Sequence, residues 1–176
     1  MLSRSRPLRA GKRIAQLPMQ AKASMGSFAF ECEVALGAGV KARPEPVKAL
    51  ARHYLKRLKR PRGSLSILLC KDAQSRRLNR RFRGKDRPTD VLSFPAFQKP
   101  LKAGPLGDLA LNLPYIRRKA PRFADDARGD FALLLLHGIL HLLGYHHDNA
   151  RAEAALWRLK ARHFPPPARL LKGLPQ

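Results

Sequence analysis

Closely spaced histidines between residues 137 and 148 have the residue types and the spacing of a metal site. His137 and His141 are four residues apart, so on a helix they lie one turn apart on the same face, about 6 Å along the axis. Two imidazoles at that separation can bind one metal ion. Gly144 can adopt the left-handed conformation that ends a helix, and the turn that follows would bring back His147 as a third ligand. The pattern predicts a zinc site with three protein ligands and an open fourth position.

The residue that follows the first histidine argues against a peptidase. In metalloproteases with this spacing that residue is a glutamate, the general base, whereas here it is Gly138. Residues 131–143 are apolar almost all round and too few to span a membrane, so we expect a buried core helix. One histidine in such a helix is usually a hydrogen-bonded core residue, but this set of three with its glycine is hard to obtain from packing alone. A metal site is therefore the better interpretation.

The charge of the chain indicates a polyanionic partner. Lys and Arg number 36 against 12 Asp and Glu, which gives a formal net charge of +24. Such a field attracts nucleic acid first and an anionic membrane surface second; the plainer alternative is an arginine-rich composition that only solvates the surface. No run of 18 apolar residues is present, so no membrane span is predicted. Nucleic acid being the preferred polyanion, we expect no membrane partner. Cys32 and Cys70 form no C-x-x-C pair and are expected to be reduced core residues.

Hydrophobic periodicity predicts the elements that must position the histidines. Strands are predicted over residues 28–36, 64–71, 91–95 and 104–112, and helices over 44–58, 73–82, 114–120, 131–143 and 150–163. Asp72 and Asp130 stand immediately before two of these helices and are predicted to be their N-caps. We therefore predict an α+β fold: a single domain with a mixed sheet of about four strands, helices packed largely on one face, and the metal site at the end of a buried helix.

The two ends of the chain differ in composition from its middle. Residues 1–27 hold six basic residues and no acid, and we expect a disordered extension there. It has the composition of an organellar transit peptide, but an RNA-binding arm and a true translation start at Met25 fit equally well. We predict a bacterial cytoplasmic protein, or an organellar one if the extension is a transit peptide. Residues 28–164 are predicted to form the functional domain, and residues 165–176 a proline-rich basic tail.

Three motifs resemble those of one known family. The segment His137-Gly-Ile-Leu-His-Leu-Leu-Gly-Tyr-His-His147 is similar to the H-G-x-L-H-L-x-G-Y-D-H signature of the YbeY family, the bacterial and organellar endoribonucleases of rRNA maturation. A second family signature is matched by residues 78–79, 82–86 and 88–95, and a third by residues 106–109. The three motifs occur in the family's order and at compatible spacing, and together they cover about residues 64–160.

The resemblance implies one Zn²⁺ per chain, held by His137, His141 and His147, and no small-molecule cofactor. It also implies cleavage of single-stranded RNA in rRNA processing, with the ribosome or ribosome-associated proteins as partners. One departure is that His146 stands where the family has Asp. An aspartate there can orient a ligand from outside the metal shell; Asp148 is near enough in sequence to compensate, and His146 could instead compete for the metal.

The resemblance further implies a functional role for Arg83, and our catalytic assignment is Arg83 together with His137. Zinc can lower the pKa of bound water or polarise a phosphate oxygen, while an arginine stabilises the charge that develops on the scissile phosphate. Water and the RNA 2′-hydroxyl both stay open as the nucleophile. For Asp108 we favour a structural role. Basic helix faces at residues 48–59 and 76–83 are expected to follow the phosphates.

Two other functions stay open at this point. One is a non-catalytic RNA-binding ribosome-assembly factor with a structural zinc, for which His146 would supply a fourth ligand. The other, which Gly138 and the charge disfavour, is a zinc peptidase. The endoribonuclease is the preferred hypothesis.

Overall fold

The computed structural model describes residues 30–60, 62–97, 103–146 and 149–175. The predicted N-terminal extension, residues 1–27, lies outside these ranges, and so do the predicted ligand His147 and its neighbour Asp148. None of the described helices is both long enough and apolar enough to cross a membrane.

A four-stranded mixed sheet forms the centre of the described chain. Its strands are β1 (Phe30–Leu36), β2 (Gly63–Cys70), β3 (Val91–Pro95) and β4 (Pro105–Asn112), in the order β1-β2-β4-β3. β1, β2 and β4 run parallel, whereas β3 pairs antiparallel with β4 at the edge. The C-terminal halves of the two central strands are buried on both sides, which explains the apolar runs at residues 67–70 and 109–111. The predicted mixed sheet is confirmed.

Helices cover one face of this sheet more heavily than the other. In chain order they are α1 (Pro44–Arg57), α2 (Asp72–Arg83), α3 (Leu113–Lys119), α4 (Ala127–Leu142), α5 (Ala150–His163) and α6 (Ala168–Leu171). The main core cluster joins one face of the sheet to residues of α1, α3, α4 and α5. A smaller cluster on the opposite face takes Leu78 of α2. The α+β class and the uneven placement of the helices are confirmed, with α2 as the exception to the one-sided packing.

The helix that carries the histidines, α4, is almost entirely buried and packs tightly on the sheet. A Cβ atom added at Gly138 would lie 2.9 Å from Leu109 Cδ2 and 3.3 Å from Val91 Cγ2. A side chain at this position would therefore displace the buried Leu109 side chain or move α4 away from β3 and β4. Gly138 thus has a structural reason to be glycine, since even a Cβ atom there comes within 3 Å of Leu109.

Both predicted N-caps prove wrong, because each aspartate lies inside its helix and bonds to a different segment. Asp126 caps α4 by accepting from Gly129 N at 2.8 Å. Asp130 is 2% exposed and accepts backbone N–H groups from Arg122, Phe123 and Ala124 at 2.7–2.8 Å. It therefore fixes the loop before α4.

Asp72 is the first residue of α2, and the N-cap position belongs to Lys71. The Asp72 carboxylate instead accepts from Arg118 at 2.8 and 3.1 Å and from Asn112 at 2.9 Å. Hydrogen bonds from Arg118, more than those from Asn112, hold the pKa of Asp72 below its usual value. This carboxylate thus ties the start of α2 to α3.

The C-terminal residues pack onto the domain. Residues 165–176 were predicted to form a separate tail, but within this segment Ala168–Leu171 forms α6 against α1 and α4, and Leu174 is buried in the main core. Cys32 and Cys70 are free and buried, as expected, and burial raises the pKa of each thiol to about 12.

We predict that Asp130→Ala lowers the free energy of unfolding by about 3 kcal/mol, because buried N–H groups lose a charged acceptor. Asp126→Ala, which removes an N-cap bond from the same helix, should lower it by only about 1 kcal/mol. Urea denaturation followed by circular dichroism measures both changes. Equal losses in the two variants would show that Asp130 acts as no more than a second cap.

Candidate active site

The two histidines of α4 face each other near its C-terminal end. His137 Nε2 and His141 Nε2 are 2.9 Å apart, and the two rings are nearly perpendicular, with an interplanar angle of 89°. Two nitrogens bound to one tetrahedral zinc at ordinary bond lengths lie about 3.3 Å apart. The observed pair differs from that separation by a few tenths of an ångström, so these two side chains fit a shared metal ion.

The helix ends in the manner that the spacing predicted. Gly144 has a φ of 86°, and its N–H donates to His141 O at 3.0 Å, while the Tyr145 N–H donates to Leu140 O at 3.1 Å. These bonds complete a left-handed C-terminal cap. The chain that leaves the cap returns His146 to the site, with its Nδ1 3.4 Å from His141 Nδ1.

His146 thus approaches the ring nitrogen of His141 that does not face His137. This is the position from which an outer group orients a metal-binding imidazole. A neutral imidazole can accept or donate there, whereas the family's aspartate can only accept when ionised. Among the described residues, no group of three or more His, Cys, Asp or Glu is placed to hold a metal. The third predicted ligand, His147, stays a prediction because it lies outside them.

Arg83 is the last residue of α2 and enters the same cleft from the other side. Gly84 follows it with a φ of 69° and turns the chain away from the helix. Arg83 Nη2 donates to Ser93 O at 3.2 Å, and Ser93 Oγ donates to Gly138 O at 3.4 Å. Through Ser93, the guanidinium is therefore linked to the backbone of α4 beside His137.

We refer to the space between these groups as the histidine cleft. Its volume is about 610 Å³, and it is lined by His137, His141, His146, Asn79, Arg83, Lys85, Arg87, Pro88, Thr89, Val91, Leu92, Ser93, Pro95 and Tyr115. The lining thus holds cationic side chains and imidazoles, and none of its described residues is acidic. Such a surface suits an anionic ligand that approaches the histidine pair.

The loop that supplies Lys85 and Arg87 is held by polar groups of α2. Asn79 is 3% exposed, and its Nδ2 donates to Arg87 O at 2.8 Å. Ser75 Oγ donates to Thr89 O at 2.9 Å and accepts from Thr89 N at 3.1 Å. No role was predicted for Ser75 or Asn79, although Asn79, residues 85–86 and residues 88–89 stand in the matched motifs. A buried Ser and Asn on a helix that is otherwise basic were the available signal.

The two basic helix faces expected to follow RNA lie mostly elsewhere. α1 packs against β1, at the sheet edge opposite β3, and no residue of 48–59 lines the histidine cleft. On α2, Arg83 lines the cleft, whereas Arg76, Arg77, Arg80 and Arg81 do not. Arg76 instead pairs with Asp86 at 2.7–2.8 Å, and this lowers the pKa of Asp86. Asp108, for which a structural role was favoured, also lies outside the cleft lining.

Comparison with known proteins places this site in a family. The family model described as Endoribonuclease YbeY matches residues 40–165, which include every described residue of the histidine cleft. A relative from Persephonella marina, named Endoribonuclease YbeY, is 43% identical over 110 residues, or 61% of this chain and 72% of its own.

A Chloroflexus aurantiacus protein of the same name is 36% identical over 139 residues, or 74% of this chain and 90% of its own. The fold is also similar to the solution structure of a Thermotoga maritima protein, with a TM-score of 0.54 at 22% identity over 77% of this chain and 86% of that one. Because the family model matches most of the chain and these relatives are 36–43% identical to it, the chain belongs to the YbeY family.

Proposed function

We propose that this protein is an endoribonuclease that cleaves single-stranded RNA in rRNA processing and ribosome maturation, with one zinc ion per chain. The observation that carries the proposal is the convergence of His137, His141 and Arg83 in one cleft whose described lining holds no acid. Membership of a family described as endoribonuclease supports the reaction class. We further propose that the ribosome or its associated proteins deliver the substrate, in a bacterial cytoplasm.

An RNA substrate accounts for the charge around the cleft. Arg83, Lys85 and Arg87 are exposed and line one side of it. Cations in this arrangement attract a phosphodiester backbone without reading base sequence. Tyr115 is the one described aromatic side chain, apart from the histidines, that lines the cleft. Extensive base stacking is therefore not provided for, and we infer modest sequence selectivity.

His137 and His141 would hold the zinc through their facing Nε2 atoms, with His147 as the proposed third ligand. When bound there, zinc supplies Lewis acidity to a phosphate oxygen or lowers the pKa of a bound water. One N–H group of Arg83 donates to Ser93 O, and this bond fixes the plane of the guanidinium. The other N–H groups of the guanidinium can donate to a phosphate. Its charge stabilises the extra negative charge of the transition state.

The principal rival is a non-catalytic assembly factor with a structural zinc. It would need a fourth protein ligand, and His146 is the described candidate. The contact from His146 to His141, however, is to Nδ1, on the side of the ring away from the facing Nε2 pair. The geometry therefore favours His146 as an orienting neighbour of a ligand over His146 as a ligand.

We predict that chelation abolishes internal cleavage of a 5′-labelled single-stranded rRNA fragment and that added zinc restores it. His137→Ala should reduce the cleavage rate at least about a hundredfold while the protein stays folded, because it removes a ligand. Gel analysis of the products gives the rate, and circular dichroism monitors folding. Equal cleavage by both proteins would identify a contaminating nuclease. RNA binding by both without cleavage would favour the assembly factor.

We predict that Arg83→Ala lowers kcat by about 10²–10³, since it removes a donor that acts on the transition state. Arg83→Lys should recover only part of this loss, because an ammonium cannot bond a phosphate bidentately. Arg80→Ala is the matched control: Arg80 lies one turn earlier on α2, is exposed and does not line the histidine cleft.

The control should change KM slightly and kcat little, in steady-state cleavage assays at fixed salt. If Arg80→Ala and Arg83→Ala raised KM equally and left kcat alone, Arg83 would be a general electrostatic contact and not a catalytic residue.

A further inference from the structure

A second basic pocket lies on the far side of α3 from the histidine cleft. Its volume is about 310 Å³. We call it the α3 pocket, and it is lined by Val40, Lys41, Lys71, Leu113, Pro114, Arg117 and Arg118. Cations thus make up more than half of its lining. The mechanism proposed above uses none of these residues.

Sheet topology explains why these cations meet. β1, β2 and β4 run parallel, so their carboxyl ends lie at one edge of the sheet. Lys41 comes from the loop after β1, Lys71 is the first residue after β2, and α3 begins directly after β4. Crevices outside the carboxyl ends of parallel strands are common ligand sites. The pocket is therefore assembled from segments that are distant in sequence.

Acidic groups near the α3 pocket leave most of its charge in place. Asp72 is bonded to Arg118 and Asn112, so it offsets the charge of Arg118. Lys41, Lys71 and Arg117 are exposed, and none of the described salt bridges includes them. Three cations from three segments thus remain to attract an anion.

α3 forms a short ridge between the α3 pocket and the histidine cleft. Tyr115 lines the cleft, whereas Pro114 and Arg117, its neighbours on the same helix, line the α3 pocket. The two sides touch, since Arg118 Cζ lies 5.6 Å from the centre of the Tyr115 ring. Val91 also pairs with Leu111 near the end of β4, so the loop before β3 opens toward the same sheet edge. An RNA strand that leaves the histidine cleft across α3 would therefore come to the α3 pocket next.

We infer that the α3 pocket is a phosphate-binding subsite for the substrate RNA strand beyond the scissile phosphate, an inference that rests on the proposed function. Lys41, Lys71 and Arg117 bind backbone phosphates there, while the histidine cleft holds the reacting one. The pocket lengthens the RNA segment that the protein binds. Because its contacts are to phosphate, it adds affinity and not base selectivity.

The test compares the triple variant Lys41→Ala/Lys71→Ala/Arg117→Ala with a control that removes the same charge elsewhere. The control is Arg52→Ala/Arg158→Ala/Arg162→Ala, whose residues are exposed on α1 and α5 and line neither cavity. Arg118 is kept in both because it bonds Asp72. Fluorescence anisotropy with the full zinc-loaded chain gives the affinity, at several salt concentrations, for a labelled single-stranded RNA of about 12 nucleotides whose riboses are 2′-O-methylated to block cleavage, so that every backbone phosphate is kept. A gel run after each titration checks that the RNA is intact.

The expected result is a salt slope, log K against log[salt], that is shallower by about 2 in the triple variant, or about 0.7 for each of the three lost phosphate contacts. The control variant should change the slope by less than half as much. Wild type should bind the 12-nucleotide RNA more tightly than an RNA of about 4 nucleotides. This difference in affinity should shrink in the triple variant but not in the control variant.

Other outcomes separate the two proposals. If wild type cleaves RNA but the triple and control variants have the same slope, the subsite is wrong and the nuclease stands. The cations of the α3 pocket would then serve another ligand, such as an acidic protein surface. If wild type binds RNA with the expected slope change yet cleaves nothing, the nuclease is wrong and the phosphate subsite stands. If wild type does not bind RNA, both fail.

Discussion

The close approach of α4 to β3 and β4 at Gly138 is the contact on which the site depends. With no side chain there, the helix backbone comes close enough for Ser93 Oγ to reach Gly138 O at 3.4 Å. That proximity places His137 and His141 beside β3. Because Ser93 O accepts a hydrogen bond from Arg83, the same contact also determines where the guanidinium lies relative to the histidines. A larger residue at 138 would have to displace Leu109 or weaken the contact between α4 and the sheet that brings these groups together. The glycine that stands where a peptidase has its glutamate is thus also the residue at which α4 packs on the sheet.

The histidine pair itself was predictable, because a spacing of four on a helix leaves little geometric freedom. The facing Nε2 atoms of His137 and His141 and the left-handed turn at Gly144 agree with that expectation. The mixed sheet followed equally from apolar runs of strand length. The zinc and its third ligand stay predictions, since His147 lies outside the described residues. The role of Arg83 also stays a prediction, although the structure brings it to the cleft.

What the sequence could not supply were contacts between distant segments. Asp72 and Asp130 each stand where a cap is expected, and local reasoning cannot tell a cap from a first-turn carboxylate that bonds elsewhere. Asp130 folds the preceding loop back onto itself, and Asp72 binds α3, 46 residues away in the chain. The α3 pocket was hidden for the same reason, because its cations converge only when parallel strands end at a common edge. A basic face on a helix such as α1 is easy to read from sequence, but its position relative to the cleft is not.

The few acidic residues are placed so that the cleft stays cationic. The described ion pairs join Asp72 to Arg118, Asp86 to Arg76, Asp90 to Arg122 and Glu45 to Lys48. None of them includes Arg83, Lys85 or Arg87, the cations that line the histidine cleft. A chain with a net charge of +24 repels itself, and the repulsion is strongest where cations are left unneutralised. An anion bound in the cleft relieves that repulsion, so part of its binding free energy comes from the charge distribution of the folded protein and not from the direct contacts alone.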